Sequence, residues 1–445
     1  MSLFTRSALS ACLLGGLALV RVAAGTGEIG PAPAAGETYA VAAGGGRDVA
    51  TAAGGSDAEA ASGTDAPPPE IAAAINRLRG VRFEGLTPDQ KSALGERLDK
   101  AWETLLDDPK EARKAILPVL AKERDDNFLI VDLANLLTVL DPDDLGPAAD
   151  ALVRAKVTAD PAGTFHAAAT MAAMHCLPCL PAVLRILEIK DADTGLGEHG
   201  LPIDPDLMLI FTLGQYGDGA VEPLTAKLTS GTCIVRGNAA LALGFLEPPA
   251  IPAAIRAIAT GESCEEGRAR AWLALGLLDD PQLAAEVAKR LKSAPSPAKA
   301  ERLGMVHALG SEFSPAAARP LQSLAKDSDK EVASAARRAL LGLREMQKRI
   351  DQIRGMRAEI PASKHDRLVR RLEKAARSGH VRLDRDPDEM LATLNAADVP
   401  LLNRARAAVL ARLSEECLDE YFPLTHAVRS LRGPLAQPTV DPAKD

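Results

Sequence analysis

Apolar residues recur at helical spacing in four similar segments: Ile234–Gly244, Glu266–Gly276, Ala300–Gly310 and Val332–Gly342. In the first segment and just beyond it, Val235, Ala239, Leu243 and Leu246 form one stripe of a helix. Each segment ends in a Leu-Gly pair, and a weaker copy ends at Leu213-Gly214, so the glycines are 30, 32, 34 and 32 residues apart. A near-constant period in this range is typical of helical repeat proteins.

A second apolar helix follows each Leu-Gly segment, so the pattern predicts units of two antiparallel helices. Neither helix can bury its apolar face alone, and stacked units supply the missing surface. The glycine of each Leu-Gly pair is predicted to close its helix in the left-handed conformation. Small residues such as Ala239, Ala240 and Ala242 should let a neighbouring helix come close.

Two stretches resemble the HEAT repeat family, especially its short HEAT-like class: the Leu-Gly segment VRGNAALALG at 235–244 and LAKDSDKEV at 324–332. The resemblance is clear over 206–342 and weaker over 107–205. It implies an all-α protein of the armadillo type, a right-handed α-solenoid of about seven HEAT-like helical hairpins with a helical C-terminal cap. Such motifs indicate a fold and leave the function open.

One column of basic residues also fits this resemblance. Arg236, Arg268 and Arg302 each stand eight residues before a Leu-Gly glycine. In the family, such arginines form a structural ladder between repeats. Ser334 and Asp206 occupy the same column here, so the ladder should be short.

The composition changes along the chain and predicts six ranges. They are a signal peptide (1–24), a disordered Ala/Gly-rich linker (25–69), N-terminal capping helices (70–106), the HEAT-like repeat solenoid (107–342), a C-terminal helical region (343–432) and a disordered tail (433–445). In the third range, Thr87 and Gln90 form a predicted capping box that starts a helix at Pro88.

The first 24 residues have the pattern of an export signal. Arg6 precedes the apolar run Ser7–Val20, and Val22-Ala23-Ala24 resembles a cleavage site before Gly25. The run is shorter than the roughly 20 residues that span a bilayer. We therefore expect a periplasmic or extracellular protein. The alternative is a lipoprotein signal at Leu9-Ser10-Ala11-Cys12, with a lipid anchor and membrane-surface association through Cys12.

The charge balance bears on the kind of partner. The formal net charge of −8 becomes −10 once residues 1–24 are removed, because they carry two arginines and no acid. An acidic exported protein is a poor candidate for nucleic-acid binding. Aromatic residues make up only 3% of the chain, which argues against an aromatic ligand pocket. No known catalytic motif is found, so neither a catalytic residue nor a cofactor or metal site is predicted.

His175-Cys176-Leu177-Pro178-Cys179 is the most specific local signal for chemistry. The C-x-P-C pattern at a helix start resembles the redox centre of thioredoxin-like oxidoreductases, where the helix N-terminus lowers the pKa of the first thiol. The surrounding sequence lacks the strands of that family. The alternatives are a structural disulfide and two packed thiols.

Cys233 and Cys264 occupy nearly matching positions in adjacent repeats. A disulfide is chemically allowed in an exported protein. However, equivalent residues of stacked repeats are expected about 9–10 Å apart, which exceeds the roughly 7 Å limit between the Cα atoms of a disulfide. Both outcomes therefore stay open for this pair. Cys417 is expected to be an unpaired thiol.

The C-terminal region contains a basic helix. Five of its residues crowd one side: Arg367, Arg370, Arg371, Lys374 and Arg377. Leu368 and Leu372 lie on the opposite side. The basic side is either a docking face for an acidic partner or for anionic lipid headgroups, or an ordinary solvated surface.

Two functional hypotheses follow. The first is an exported, non-enzymatic scaffold or adaptor that binds a protein partner through the HEAT-like repeat surface. The second is a thiol–disulfide oxidoreductase that uses Cys176 and Cys179.

The export signal makes a prediction of its own. N-terminal sequencing of the mature protein should start at Gly25, or at a modified Cys12 if the chain is lipidated. Mature protein that starts at Met1 would contradict both.

Overall fold

The computed structural model describes residues 66–82, 85–190, 205–248, 253–293, 295–311, 314–357, 359–379, 387–410, 424–425, 427–432 and 435. Regular secondary structure in these ranges is entirely helical, which confirms the expected all-α class. The predicted signal peptide, nearly all of the linker and most of the tail lie outside them. Residue contacts divide the chain into two compact units, residues 1–77 with 83–115 and residues 78–82 with 116–445.

In the first unit, helices α1 (Pro69–Arg77) and α2 (Pro88–Asp107) pack against each other. Helix α2 begins with the predicted capping box. The Gln90 N–H donates to Thr87 Oγ1 over 3.3 Å, and the Thr87 N–H donates to Gln90 Oε1 over 2.9 Å. Because a proline at the first helical position lacks only an N–H that would be unpaired there, Pro88 fits this start. Helix α3 (Pro109–Lys122) follows.

The second unit holds most of the helices. They are α4 (Asn127–Leu140), α5 (Gly146–Arg154), α6 (Pro161–Ala173), α7 (Leu180–Val183), α8 (Pro205–Gly214), α9 (Asp218–Lys227), α10 (Cys233–Leu246), α11 (Ala253–Gly261), α12 (Glu265–Leu277), α13 (Leu283–Arg290), α14 (Lys299–Ser311), α15 (Ala318–Leu324), α16 (Lys330–Arg357), α17 (Ala362–Ser378), α18 (Pro387–Thr393) and α19 (Val399–Leu410). Short 3₁₀ turns at Leu177–Cys179 and Leu184–Glu188 flank α7.

Alternate helices of this unit pack in a row. Helix α4 contacts α6, and the contacts continue through α8, α10, α12 and α14 to α16. The intervening helices pack against members of the row, α5 on α4, α9 on α10, α11 on α12 and α15 on α16. This order is compatible with hairpins stacked in sequence. The right-handed solenoid and its count of about seven hairpins remain predictions.

The predicted role of the Leu-Gly glycines is wrong. Gly244, Gly276 and Gly310 lie inside α10, α12 and α14, and none has a positive φ. The left-handed residues are instead Glu247 (φ 48°) and Asp279 (φ 50°), each three positions beyond its glycine. Helix α16 does not end near its glycine, Gly342, but continues to Arg357.

These glycines are required for close contact between helices. A methyl group at Gly244 would lie 2.8 Å from the Cα of Ala274, and one at Gly276 would lie 2.6 Å from both the Cα and the carbonyl oxygen of Ala308. Real Cβ atoms do not approach backbone so closely. The backbones of α10, α12 and α14 are therefore in direct contact, and glycine is the side chain that permits it.

The C-terminal region has a hydrophobic core of its own. Its members come from α16, α17, α18, α19 and the helical residues 424–425 and 427–432. They include Ile350, Ile353, Leu368, Leu372, Leu391, Leu402, Val409, Leu424, Val428 and Leu431. Leu435, within the predicted tail, is also buried in this core. Phe211 of α8 and Phe245 of α10 pack against it, with their ring centroids 5.8 Å apart and edge to face. The region thus contacts helices in the middle of the row as well as following its end.

Three arginines bind this region to the ends of the row helices. Arg406 and Arg432 both pair with Glu247, with closest N–O distances of 2.8 Å. Arg429 pairs with Asp279 at 2.7 Å, and the same guanidinium donates to the carbonyl oxygens of Gly276 and Ser311. Burial raises the pKa of Asp279, while Arg429 opposes that rise. The carbonyls and acids at these helix ends carry negative charge, which the arginines neutralise.

The glycine contacts predict opposite effects for two alanine substitutions. Gly276→Ala forces a methyl group against the backbone of Ala308 and should lower the free energy of unfolding by about 1–3 kcal/mol. Gly342→Ala, at an exposed helical position with nothing within 4 Å, should raise it by about 0.5–1 kcal/mol. Urea denaturation measures both. Equal effects would mean that α12 and α14 are not in backbone contact.

Candidate functional site

Cys176 and Cys179 form a disulfide at the point where α6 ends and the next helical segment begins. Their Cα atoms are 5.2 Å apart. The 3₁₀ turn Leu177–Cys179 closes with a hydrogen bond from the Cys179 N–H to the Cys176 carbonyl oxygen (2.9 Å). Cys176 is partly exposed, whereas Cys179 is 1% exposed. Of the two alternatives for the pair, the disulfide is present, and only one of its sulfur-bearing residues reaches the surface.

The backbone before the disulfide is fixed by a Schellman motif. The His175 N–H donates to the Ala172 carbonyl oxygen (2.8 Å) and the Cys176 N–H donates to that of Met171 (3.1 Å). His175 adopts a φ of 50°, a conformation that glycine usually takes at this position. The Tyr216 hydroxyl, whose pKa is raised by burial, donates to the Cys176 carbonyl oxygen at 3.2 Å. The first cysteine is thus held from two sides.

The turn between the cysteines is apolar and exposed. Leu177 is 63% exposed, and Pro178 is exposed as well. Val153, which is 46% exposed, lies on α5, the helix that packs against this turn. Among the described residues, large hydrophobic side chains with such exposure are Val153, Leu177 and Leu341. Two of these three are therefore on elements at the disulfide, a feature that the sequence pattern did not reveal.

Cys233 and Cys264 also form a disulfide, with their Cα atoms 6.2 Å apart. The expected separation of about 9–10 Å between equivalent residues overestimates this distance. The reason is a pair of glycines. A methyl group at Gly237 would lie 2.9 Å from the Gly267 Cα, and one at Gly267 would lie 3.0 Å from the Cys233 carbonyl oxygen. The starts of α10 and α12 therefore touch. Cys12 and Cys417 lie outside the described residues.

The arginine column forms the expected ladder. Arg236 pairs with Glu262 at 2.6 Å, Arg268 with Glu301 at 2.8 Å and Arg302 with Asp327 at 2.9 Å. Each arginine also donates to a backbone carbonyl in the turn before its own helix, at Gly231, Glu262 and Pro297 respectively. Each of these arginines therefore links its own row helix to a segment that follows it in the chain, which is a structural role.

Glu301 is the most buried charge of this ladder, and the sequence pattern does not predict its role. It is 0% exposed and accepts hydrogen bonds from Arg268 and, on both oxygens, from Arg290 (2.8 and 3.0 Å). The Trp272 indole N–H lies 3.5 Å from the same carboxylate. Because removing one partner of a buried ion pair leaves an uncompensated charge, loss of either arginine should destabilise the contact between α12 and α14.

The five basic residues of α17 are all exposed. Arg367, Arg370, Arg371, Lys374 and Arg377 lie on the surface, while Leu368, Leu372 and Ala375 enter the C-terminal core. Arg367 donates to the carbonyl oxygen of Ser363 on its own helix. Within the described parts of the chain, Arg370, Lys374 and Arg377 form no salt bridge. The structure therefore presents the predicted basic face to solvent.

A cavity of about 290 Å³ lies between α11, α12 and α13. Its lining includes Arg256, Trp272 and Asp280. Asp280, which is 1% exposed, accepts two hydrogen bonds from Arg256 (2.7 and 3.0 Å) and one from the Gln282 N–H. The buried charge in this cavity is therefore already paired within the protein.

Within the described ranges, no helix combines the length and the apolar character needed to cross a bilayer. No three His, Cys, Asp or Glu side chains in them are grouped so that they could hold a metal ion.

Comparison with known proteins gives no assignment: no protein-family model and no curated protein matches this chain.

The first rung of the ladder predicts a pH-dependent stability. The hydrogen bond from Arg236 lowers the pKa of Glu262 from 4.5 to about 2. A lowered pKa in the folded state stabilises the protein above the unfolded value, and this contribution is lost as the pH falls towards the folded value. The difference in unfolding free energy between the parent and Glu262→Gln should therefore shrink between pH 5 and pH 2. Glu222→Gln, at an exposed position that pairs with no described residue, serves as the control and should show a constant difference.

Proposed function

We propose that this chain is an exported scaffold of HEAT-like repeats, a right-handed solenoid of about seven hairpins, that binds an acidic protein partner. The observation that carries the proposal is the basic face of α17, defined by Arg367, Arg370, Arg371, Lys374 and Arg377. Arg370, Lys374 and Arg377 of this face project into solvent and form no salt bridge with a described residue, so they are free to pair with the carboxylates of another molecule.

The rest of the structure supports a scaffold that is rigid. Direct backbone contact, the arginine ladder and a disulfide join α10 to α12, and backbone contact and Glu301 join α12 to α14. A rigid platform loses little conformational entropy when a partner binds, which favours affinity. The two disulfides are compatible with the proposed export.

The C-terminal region changes where the partner should bind. Arg406, Arg429 and Arg432 already occupy Glu247 and Asp279 at the ends of the row helices. That part of the repeat surface is therefore covered by the protein itself. The basic face of α17 lies on the covering region and points to solvent, so we place the docking contact there.

A protein partner is favoured over a lipid surface by the position of the apolar residues. A helix that lies on a membrane inserts its apolar side between the lipids. In α17, that side consists of Leu368, Leu372 and Ala375, which are 6%, 0% and 0% exposed in the C-terminal core. The helix can therefore offer its charges to a partner without offering an apolar side to a bilayer.

The test compares the parent with the triple variant Arg370→Glu, Lys374→Glu and Arg377→Glu. Proximity crosslinking in cells, followed by mass spectrometry, should enrich a protein partner. Acidic peptides of that partner should be crosslinked to residues of α17. The triple variant should weaken binding of the purified partner at least about tenfold, because three exposed ion pairs contribute about 0.2–1 kcal/mol each and the reversed charges repel. Added salt should weaken the parent complex as well.

Lys289→Glu is the matched control, because Lys289 is 80% exposed on α13, outside the basic face. It should leave the partner bound. Identical crosslinks in the parent and the triple variant would contradict docking at α17. Binding of the parent to vesicles containing phosphatidylserine, with no acidic partner found, would replace the protein partner with a lipid surface.

A further inference from the structure

The Cys176–Cys179 disulfide is accessible from one side only. Cys179 is 1% exposed, whereas Cys176 is partly exposed and precedes an exposed Leu-Pro pair. A thiolate can attack a disulfide only at a sulfur that it can reach. An incoming thiol must therefore attack Cys176, and Cys179 must be the sulfur that leaves.

The surroundings indicate what kind of thiol could approach. Leu177, 63% exposed, lies between the cysteines, and Val153, 46% exposed, lies on the helix that packs against their turn. The C-terminal end of that helix is fixed by Arg185, which donates to the carbonyl oxygens of Leu152, Val153 and Ala155. An exposed leucine between the cysteines, with a second exposed apolar residue on the helix that packs against their turn, favours a peptide with an apolar residue over a small charged thiol.

We propose that Cys176–Cys179 is a redox-active disulfide that oxidises dithiols in polypeptides docked on Leu177 and Val153. One substrate thiolate attacks Cys176 Sγ and forms a mixed disulfide, while the Sγ–Sγ bond breaks and its electron pair leaves with Cys179 Sγ, which takes up a proton. The second substrate thiolate then attacks the substrate sulfur of the mixed disulfide and releases Cys176. The substrate loses two electrons and becomes a disulfide, and the protein gains them as two thiols.

The backbone around Cys176 suits a site that changes its bonding without unfolding. The Schellman motif before it and the hydrogen bond from Tyr216 to its carbonyl oxygen involve neither sulfur atom. These contacts therefore persist when the Sγ–Sγ bond is broken. The disulfide between Cys233 and Cys264, by contrast, joins the starts of α10 and α12. Its two cysteines are 31 residues apart in the chain, so it serves as an internal comparison.

The experiment uses the oxidised full chain and a synthetic peptide with two cysteines and an adjacent leucine. Formation of the peptide disulfide is followed by mass spectrometry, and protein thiols are mapped by alkylation. Cys176 and Cys179 should become alkylated in step with peptide oxidation, while Cys233 and Cys264 stay bonded and circular dichroism stays constant. Reduction of both pairs together, or only with loss of helicity, would overturn the proposal and leave a structural disulfide.

Two pairs of variants separate the chemistry from the docking. Cys179→Ser should trap a mixed disulfide at Cys176 when offered the oxidised peptide, and Cys176→Ser should trap none at Cys179. Leu177→Ser should slow oxidation of the peptide by about tenfold, since part of a leucine contact is lost, but not oxidation of dithiothreitol. Leu341→Ser removes a similarly exposed leucine on α16 and should change neither rate. Equal peptide rates for Leu177→Ser and Leu341→Ser would overturn docking on the apolar turn.

These outcomes are independent of the basic face of α17. A chain that oxidises the peptide but binds no acidic partner would keep this inference and remove the proposed scaffold contact, and the converse result would do the opposite.

Discussion

The direct contact of helix backbones in the middle of the row is the constraint on which the rest of the structure depends. Ordinary packing separates helix axes by about 8–10 Å because side chains lie between them. At Gly237, Gly244 and Gly276 no side chain intervenes, and the neighbouring backbone would lie within 3 Å of an added methyl group. This proximity brings Cys233 within disulfide distance of Cys264 and places Arg268 beside Glu301. Glycine at these positions therefore determines the covalent and the ionic contacts alike.

Close packing also has an electrostatic consequence. Helices that touch leave little room for water, so the charges between them lose their hydration and must be paired. Glu301 is fully buried with two arginines, and Asp280 is nearly so with one. Arg370, Lys374 and Arg377 of α17 are in the opposite situation, since they are exposed and solvent stabilises their charges. The buried pairs therefore constrain how these helices pack, whereas the exposed cations place no such constraint on the fold.

Short-range features of this chain could be read from the sequence, and long-range ones could not. The capping box at Thr87 and the helical segments depend on residues a few positions apart, so the pattern was sufficient for them. A glycine after leucine fits both a helix end and a close contact, and the choice between them depends on the neighbouring helix. The left-handed residues are two acids, Glu247 and Asp279, in a conformation that few non-glycine residues adopt. Their arginine partners are 150 or more residues away in the chain, and no periodicity marks them.

The arginine contacts of the C-terminal region have a consequence for how such a chain can evolve. Repeat proteins commonly gain or lose units by duplication or deletion, because each unit contacts only its neighbours. Here Arg406 and Arg429, 23 residues apart, bind acids on two consecutive units, α10 and α12. An extra unit inserted between those helices would separate Glu247 from Asp279 and break this match. Phe211 of α8 and Phe245 of α10, which pack against the same region, extend this limit to α8. The row from α8 to α12 is therefore fixed in length by its contacts with the C-terminal region.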